Sequence, residues 1–584
     1  MAESSGGAAA RRDYTRRMTT PAGTVEATRH RVVWRLPSIA GLIGAAIGYA
    51  NALTPSLLPH SLMFLLLLTA LGTLTGYAIG TTIGWALRKI PAVGRWHMPR
   101  WLVIVLLVLF WLPALAFTPV AVSWQAEQQS ALDMPAALPS TVVAIVLTAL
   151  LSSLLLIGAR GIRAGTNKIA ALISRRGPLH GWVSGREPSH VHRAIAVIRL
   201  GVSLVLILIA VIAIQSALRW LIGSYDTVNA DTSGQSATNL GVNSGSEQSL
   251  TPWDTLGREG RFYVSHTMTP SAIEQITGRT AQTPVRVYVG MQQGDTPEAR
   301  TDLAVQELDR VDAWNRKYLS IFGVTGTGWV DPNAINSLEA VTDGDVTTVA
   351  VQYSAVPSWI GFVVDPQTTI TQNRDMIDGV LAAWRAKPAD QRPELILFGQ
   401  SLGSLGTQGA WTADATPEDV TAEIPHVAWI GPPAESVLWK KWQATRTGGP
   451  AWEPIIGDGT ITRVLVSAND PDGNEKKAPP TIVFAAHAND PVVYWSPDLL
   501  LKHPDWLNEP LGPGVDPHMR WIPIITFLQV GMDLISGGEP PEVGHNYSAN
   551  MAVAVALAVA PADWTTQQTA ALQAALPSLR YATG

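Results

Sequence analysis

Cysteine is absent from the 584 residues, which excludes disulfides, thiolate zinc sites and a cysteine nucleophile. This absence does not locate the protein, because exported chains can fold without disulfides. Charge is sparse, at 15% Asp, Glu, Lys and Arg. No basic stripe with interleaved aromatics occurs, so nucleic acid is not an expected partner. The histidines have no H-x-x-x-H spacing and no paired carboxylates beside them, and there is no Walker or dinucleotide glycine loop. Neither a metal nor a nucleotide cofactor is therefore expected.

What charge there is falls unevenly. Residues 1–222 hold 20 Lys and Arg against six Asp and Glu, a net +14, whereas residues 223–584 hold 21 against 40, a net −19. The first part is mostly long apolar runs, and about 20 apolar residues cross a bilayer as a helix. Five candidate spans lie at about Ser38–Leu58, Leu62–Leu87, Trp101–Trp124, Ala136–Ile157 and Leu200–Leu218. The first is the weakest, because it contains Asn51 and Pro55. Arginine and lysine concentrate in the tail before Ser38, in the loop 88–100 and in the loop 160–199, and are missing from Asn51–Ser61 and Gln125–Pro135. This alternation places the N-terminus in the cytoplasm and, after five spans, the remainder of the chain outside. The spans hold no clear acid, lysine or histidine, which disfavours a transporter. Gly41, Gly44 and Gly48, and Gly72, Gly76 and Gly80, recur at spacings of three or four that suit close helix packing.

The expected organisation is a basic cytoplasmic tail (1–36), a transmembrane region (37–222), a flexible Ser/Gly/Asn/Thr-rich linker (223–250) and an extracytoplasmic domain (251–584). In that domain, strand-like runs at Val285–Met291, Leu319–Val324, Thr347–Gln352, Leu395–Phe398, Val427–Ile430 and Ile482–Ala485 alternate with helical stretches, among them Gln372–Trp384. Ile522–Ile525 is a further strand candidate, and Tyr547–Ala560 reads as a terminal helix. Buried strands alternating with helices imply a mostly parallel, doubly wound sheet, with sites at the carboxyl ends of its strands.

One motif proposes a reaction. Gly399-Gln400-Ser401-Leu402-Gly403 follows the strand Leu395–Phe398 and precedes a run of small residues. A strand, a sharp turn with serine at its apex and a tightly packed helix form a nucleophile elbow. The glycines permit the turn and let the helix approach the sheet. Serine needs a base that is itself oriented, and in this arrangement the chain order is Ser, acid, His. Asp490 lies just beyond the late strand Thr481–Ala486, with Asp498 as the alternative. His545 precedes the terminal helix and is the expected base. His518 reads as a surface-loop residue, and His487 comes before the acid. Oxyanion donors are expected from the backbone N–H of Leu402 and from Gly326 or Thr327 in the loop after Leu319–Val324.

The chain resembles the actinobacterial membrane-anchored α/β-hydrolases, which carry a multi-span N-terminal region and an extracytoplasmic catalytic domain. The resemblance rests on Arg286-Val287-Tyr288-Val289-Gly290, Thr325–Pro332, Gln352-Tyr353-Ser354, Pro357-Ser358-Trp359, Phe398–Gly403 and Gly544-His545-Asn546-Tyr547. It implies an α/β-hydrolase fold preceded by an all-α bundle of about five helices, a serine hydrolase activity and an envelope location. Gln400 stands where an acidic residue is expected. The expected function is a membrane-anchored serine hydrolase or acyltransferase acting on an acyl ester, with a lipid or lipid-linked envelope substrate. The rival is a catalytically silent scaffold of the same fold. Acyl length, acceptor and oligomeric state are not readable from the residues.

Overall fold

A computed structural model describes residues 37–91, 98–135, 141–176, 188–237, 241–468, 481–536, 540–560 and 563–579. The expected basic tail, 1–36, lies outside the described residues. The chain divides into two compact units, one built from Met1–Leu53, Leu65–Pro119 and Pro139–Ala217, the other from Thr54–Phe64, Val120–Leu138 and Leu218–Gly584.

Among the described residues, four helices are long and apolar enough to cross a membrane by length and composition: Leu62–Leu87, Arg100–Ala131, Thr141–Ile169 and Ala196–Ala230. The expected first span is a shorter helix, Ile39–Ala52, of 14 residues. It stops ahead of Thr54 and Pro55, since proline cannot continue the hydrogen-bond ladder. In the first unit the glycine spacing has its packing counterpart. A Cβ on Gly44 would lie 2.1 Å from the Gly76 carbonyl oxygen, and one on Gly48 equally close to that of Gly72. The two backbones touch directly, which only glycine allows.

The second unit is organised by a seven-stranded sheet. Its strands are β1 (Val285–Val289), β2 (Tyr318–Gly323), β3 (Val346–Val351), β4 (Glu394–Gln400), β5 (His426–Ile430), β6 (Thr462–Leu465) and β7 (Thr481–Ala485). They lie in the order β1-β3-β2-β4-β5-β7-β6, and every pairing is parallel. Along β4, Leu395 and Leu397 join one core, with Trp429 and Phe484. Ile396 and Phe398 join the other, with Phe322 and Val483. Alternating residues thus feed two apolar layers, as a sheet covered on both faces requires.

Three expectations change. Ile522–Ile525 is no strand, and Ile525 instead begins the helix Ile525–Ser536. A short apolar run fits a strand or a buried helix turn equally well. The helix expected from Gln372 begins at Pro366, where Asp365 accepts a hydrogen bond from the Thr368 N–H at 3.2 Å. That is a capped start with proline in the first turn. The third change concerns residues 223–250. Among those described, the last apolar helix runs on to Ala230, and 241–249 lies along β1. There the Ser244 N–H donates to the Arg286 carbonyl at 3.1 Å, and Asn243 Oδ1 accepts from the Arg286 N–H at 2.9 Å. Asn243 and Ser244 are buried. Polar side chains that suggest a free linker here satisfy the backbone of an edge strand instead.

The two segments free of lysine and arginine pack within this same unit. Ser56 donates to Asp533 at 2.5 Å. The His60 ring lies 3.0 Å from the same carboxylate. Leu57 enters the first core layer, and Trp124 stacks on His518 with ring centroids 4.1 Å apart.

Candidate active site

Ser401 follows the last residue of β4 and caps the helix Leu402–Gln408 with φ 55° and ψ −123°. A serine rarely holds this conformation, which costs on the order of 1–3 kcal/mol and persists only where the surroundings enforce it. Enforcement comes from the Ser401 N–H, which donates to the Ile430 carbonyl at 2.8 Å, and from the glycines. A Cβ on Gly403 would lie 2.0 Å from the Gly323 carbonyl oxygen, and one on Gly399 would lie 2.7 Å from that of Gly403. The helix therefore sits directly on β2 and β4, and the serine side chain stands at the carboxyl edge of the sheet.

Asp490 follows β7 on that same edge. It is fully buried, and its Oδ2 lies 2.7 Å from His545 Nδ1. The Val492 N–H donates to Oδ1 at 2.8 Å, and the Tyr547 hydroxyl donates to Oδ2 at 2.6 Å. Burial, then the adjacent Asp490 charge, pushes the Tyr547 phenol well above its ordinary pKa, so it stays a donor. Asp498, the alternative acid, is exposed and faces Lys502. His518 stays apart as well, paired with Asp516 at 3.0 Å.

His545 sits on the loop before the helix Ala549–Val559, and that loop is clamped. His487 is 2.8 Å from the Gly544 carbonyl oxygen through Nδ1 and 3.1 Å from Glu542 through Nε2. It also stacks on Tyr547, centroids 4.3 Å apart. Asn489 accepts from the Gly544 N–H at 3.1 Å. Burial pushes the Glu542 carboxyl up, but hydrogen bonds from His487 and Ser548 outweigh it and hold the group below its usual range. His487 and Asn489 are thus buttresses of the histidine loop.

A cavity of about 840 Å³ brings Ser401, Gln400, His545 and Tyr547 together. Its wall includes Val228, Asp231, Ser233, Gly234 and Gln235, from the end of the last apolar helix and the chain just after it. That end is fixed by Asn229, whose Oδ1 accepts from the Arg258 N–H and from Gln352, each at 3.1 Å. Of the expected oxyanion donors, Leu402 is the first residue of its helix, where an N–H has no partner within the helix. Gly326 and Thr327 do not border the cavity; Thr325 and Trp329 of the same loop do. The Gly326 N–H is taken by Ser358 Oγ at 3.2 Å, and the Thr327 carbonyl by Gln352 at 2.8 Å. Ser358 itself borders the cavity. Its signal in the sequence, Pro357-Ser358-Trp359, gave no hint of which side chain would border the cavity.

Gly431 gives a sharp local test. Its φ is 52°, and an added Cβ would lie 2.5 Å from His545 Cε1 and 2.9 Å from the Tyr547 ring. Gly431→Ala must displace the imidazole, and a shift near 1 Å can cost about 100-fold in rate. Ester hydrolysis by Gly431→Ala should fall at least that far; activity within about threefold of wild type would mean that the ring position is unimportant.

No group of three or more His, Asp or Glu able to hold a metal occurs among the described residues. A family model described as an alpha/beta-hydrolase family matches residues 285–572. A second, described as the N-terminus of an alpha/beta-hydrolase family, matches residues 53–267. No curated protein and no solved structure is significantly similar to the chain.

Proposed function

The chain belongs to an α/β-hydrolase family, and from that membership we propose a membrane-anchored serine hydrolase or acyltransferase that acts on an acyl ester. The observation that carries this reading is the His545–Asp490 contact at 2.7 Å beside the strained serine in one cavity. Ser401 Oγ attacks the acyl carbonyl and its proton passes to His545 Nε2. The carbonyl oxygen takes the negative charge, stabilised by the Leu402 N–H. The second donor falls to Ser358, whose Oγ accepts from Gly326 and keeps its own proton for the cavity. Collapse breaks the ester bond, and the alkoxide leaves with the proton from His545. Water or another alcohol then attacks the acyl-serine by the reverse path. Asp490 keeps Nδ1 protonated and stabilises the imidazolium. A fluorophosphonate should label the full chain in membranes and should fail to label Ser401→Ala; folded wild-type protein that resists labelling would contradict the reading.

The domain is proposed to face outward, next to lipid. The lysine- and arginine-free segments 54–64 and 120–135 pack on the domain itself, so they and the cavity share one side. Charge alternation puts that side away from the cytoplasm. The 14-residue helix Ile39–Ala52, about 21 Å long at 1.5 Å per residue, must then complete the first crossing despite its length. The cysteine-free chain makes the test clean. A single cysteine at Glu247 or Asp390, both exposed, should react with an impermeant maleimide in intact cells, and one at Arg88 only after permeabilisation. The inverted pattern would put catalysis in the cytoplasm.

A further inference from the structure

Cavity-lining side chains divide into committed and uncommitted groups. Tyr547 is spent on Asp490, Asp331 caps the helix Pro332–Val341, and Asp231 holds Ser233. In the same wall the side chains of Arg258, Glu259, Trp329 and Gln400 are among those with no hydrogen bond or ion pair to another described residue. Gln400 Oε1 is enclosed and lacks a donor, one residue from the serine. Glu259 is half-buried, and burial, offset in part by Arg258, raises its carboxyl. Arg258 is exposed, but Gln400 and Glu259 are partly desolvated, and such groups without a partner cost free energy unless a ligand supplies one.

We propose that this wall binds a polyhydroxylated, uncharged alcohol, so that the ester cleaved or formed at Ser401 is an O-acyl sugar. This deepens the serine-hydrolase reading and rests on it. A sugar ring presents hydroxyls that donate and accept together with an apolar C–H face. Glu259 and Gln400 supply acceptors, Arg258 supplies donors, and the Trp329 ring is a surface for the C–H face. Two other alcohol classes fit worse. Glu259, Asp231 and Asp331 outnumber Arg258, so a phosphate-bearing alcohol meets net repulsion. A quaternary ammonium alcohol suits the acids but offers no acceptor to Arg258 and no hydroxyl donor to Gln400. Repulsion of this kind discriminates as strongly as attraction does.

The test uses the full chain in detergent with four octanoyl esters: 6-O-octanoylglucose, octanoylcholine, 1-octanoylglycerol 3-phosphate and 4-nitrophenyl octanoate. The glucose ester should exceed the choline and phosphate esters in kcat/KM by at least about tenfold. Glu259→Gln and Trp329→Ala should each lower the ratio of glucose-ester to nitrophenyl-ester kcat/KM about tenfold, mainly through KM. Preference for the choline or phosphate ester would overturn the inference, as would a ratio that Glu259→Gln leaves unchanged. Glu259→Gln is nearly isosteric, so it decides the matter even where Trp329→Ala fails to fold. Hydrolysis of the nitrophenyl ester without a preference for glucose sinks the sugar alone. Absence of all hydrolysis and of fluorophosphonate labelling sinks the serine mechanism and the sugar with it.

Discussion

Ser401→Ala should lower kcat for ester hydrolysis about 10⁶-fold, leaving only the residual rate that binding and oxyanion donors give a bound water. The size follows from what is removed. The imidazole, the carboxylate and the donors all act on one oxygen, and without it they have nothing to activate. The fold should survive. The change deletes a single oxygen at the cavity surface, and such substitutions usually alter stability by less than about 0.5 kcal/mol. The Ser401 backbone at φ 55° is as strained for alanine as for serine, so the turn is not relieved. Thermal unfolding and steady-state hydrolysis, measured together, check both parts. A loss below about 100-fold would assign the chemistry to another group.

Asp490→Asn should cost about 10⁴-fold in kcat, by way of the wrong imidazole tautomer. Asp490 Oδ2 accepts from both His545 and Tyr547. Asp490 Oδ1 accepts from the Val492 N–H, so an asparagine has one oxygen for two positions. When that oxygen serves the Val492 N–H, the amide N–H₂ faces Nδ1. His545 must then carry its proton on Nε2 and cannot take one from Ser401. Tyr547, held as a donor by its raised pKa, favours the oxygen on the His545 side, so Tyr547→Phe added to Asp490→Asn should lower the rate about tenfold further. An equal or higher rate would mean that Tyr547 does not direct the asparagine.

The sequence spoke most clearly where local chemistry and the fold agree. Gly399, Ser401 and Gly403 come as one short word, because close approach of helix to sheet and the left-handed turn each need a specific residue. Asp490 and His545 lie 55 residues apart, yet chain order and the neighbouring strand and helix singled them out. The Gly44–Gly76 contact was equally visible, since helix packing writes itself at spacings of three and four. Other features depend on partners far along the chain. Asn243 and Ser244 resemble linker residues until Arg286 and β1 are beside them. The placing of β7 between β5 and β6 follows from no local signal. Neither did the loop after β2 say which of its residues would reach the cavity, and Gly326 proved to be bonded to Ser358. The wall formed by Val228, Asp231, Ser233, Gly234 and Gln235 was hidden for the same reason, because composition describes a segment and not what it folds against.

Trapping the covalent intermediate tests the central claim most directly. A slowly deacylated ester, mixed with the full chain and quenched in acid within the first turnovers, should add one acyl mass to the peptide that carries Ser401. The Ser401→Ala chain should gain none. Continued hydrolysis by wild-type protein with no acyl group on that peptide, or with the group on a different side chain, would contradict the account.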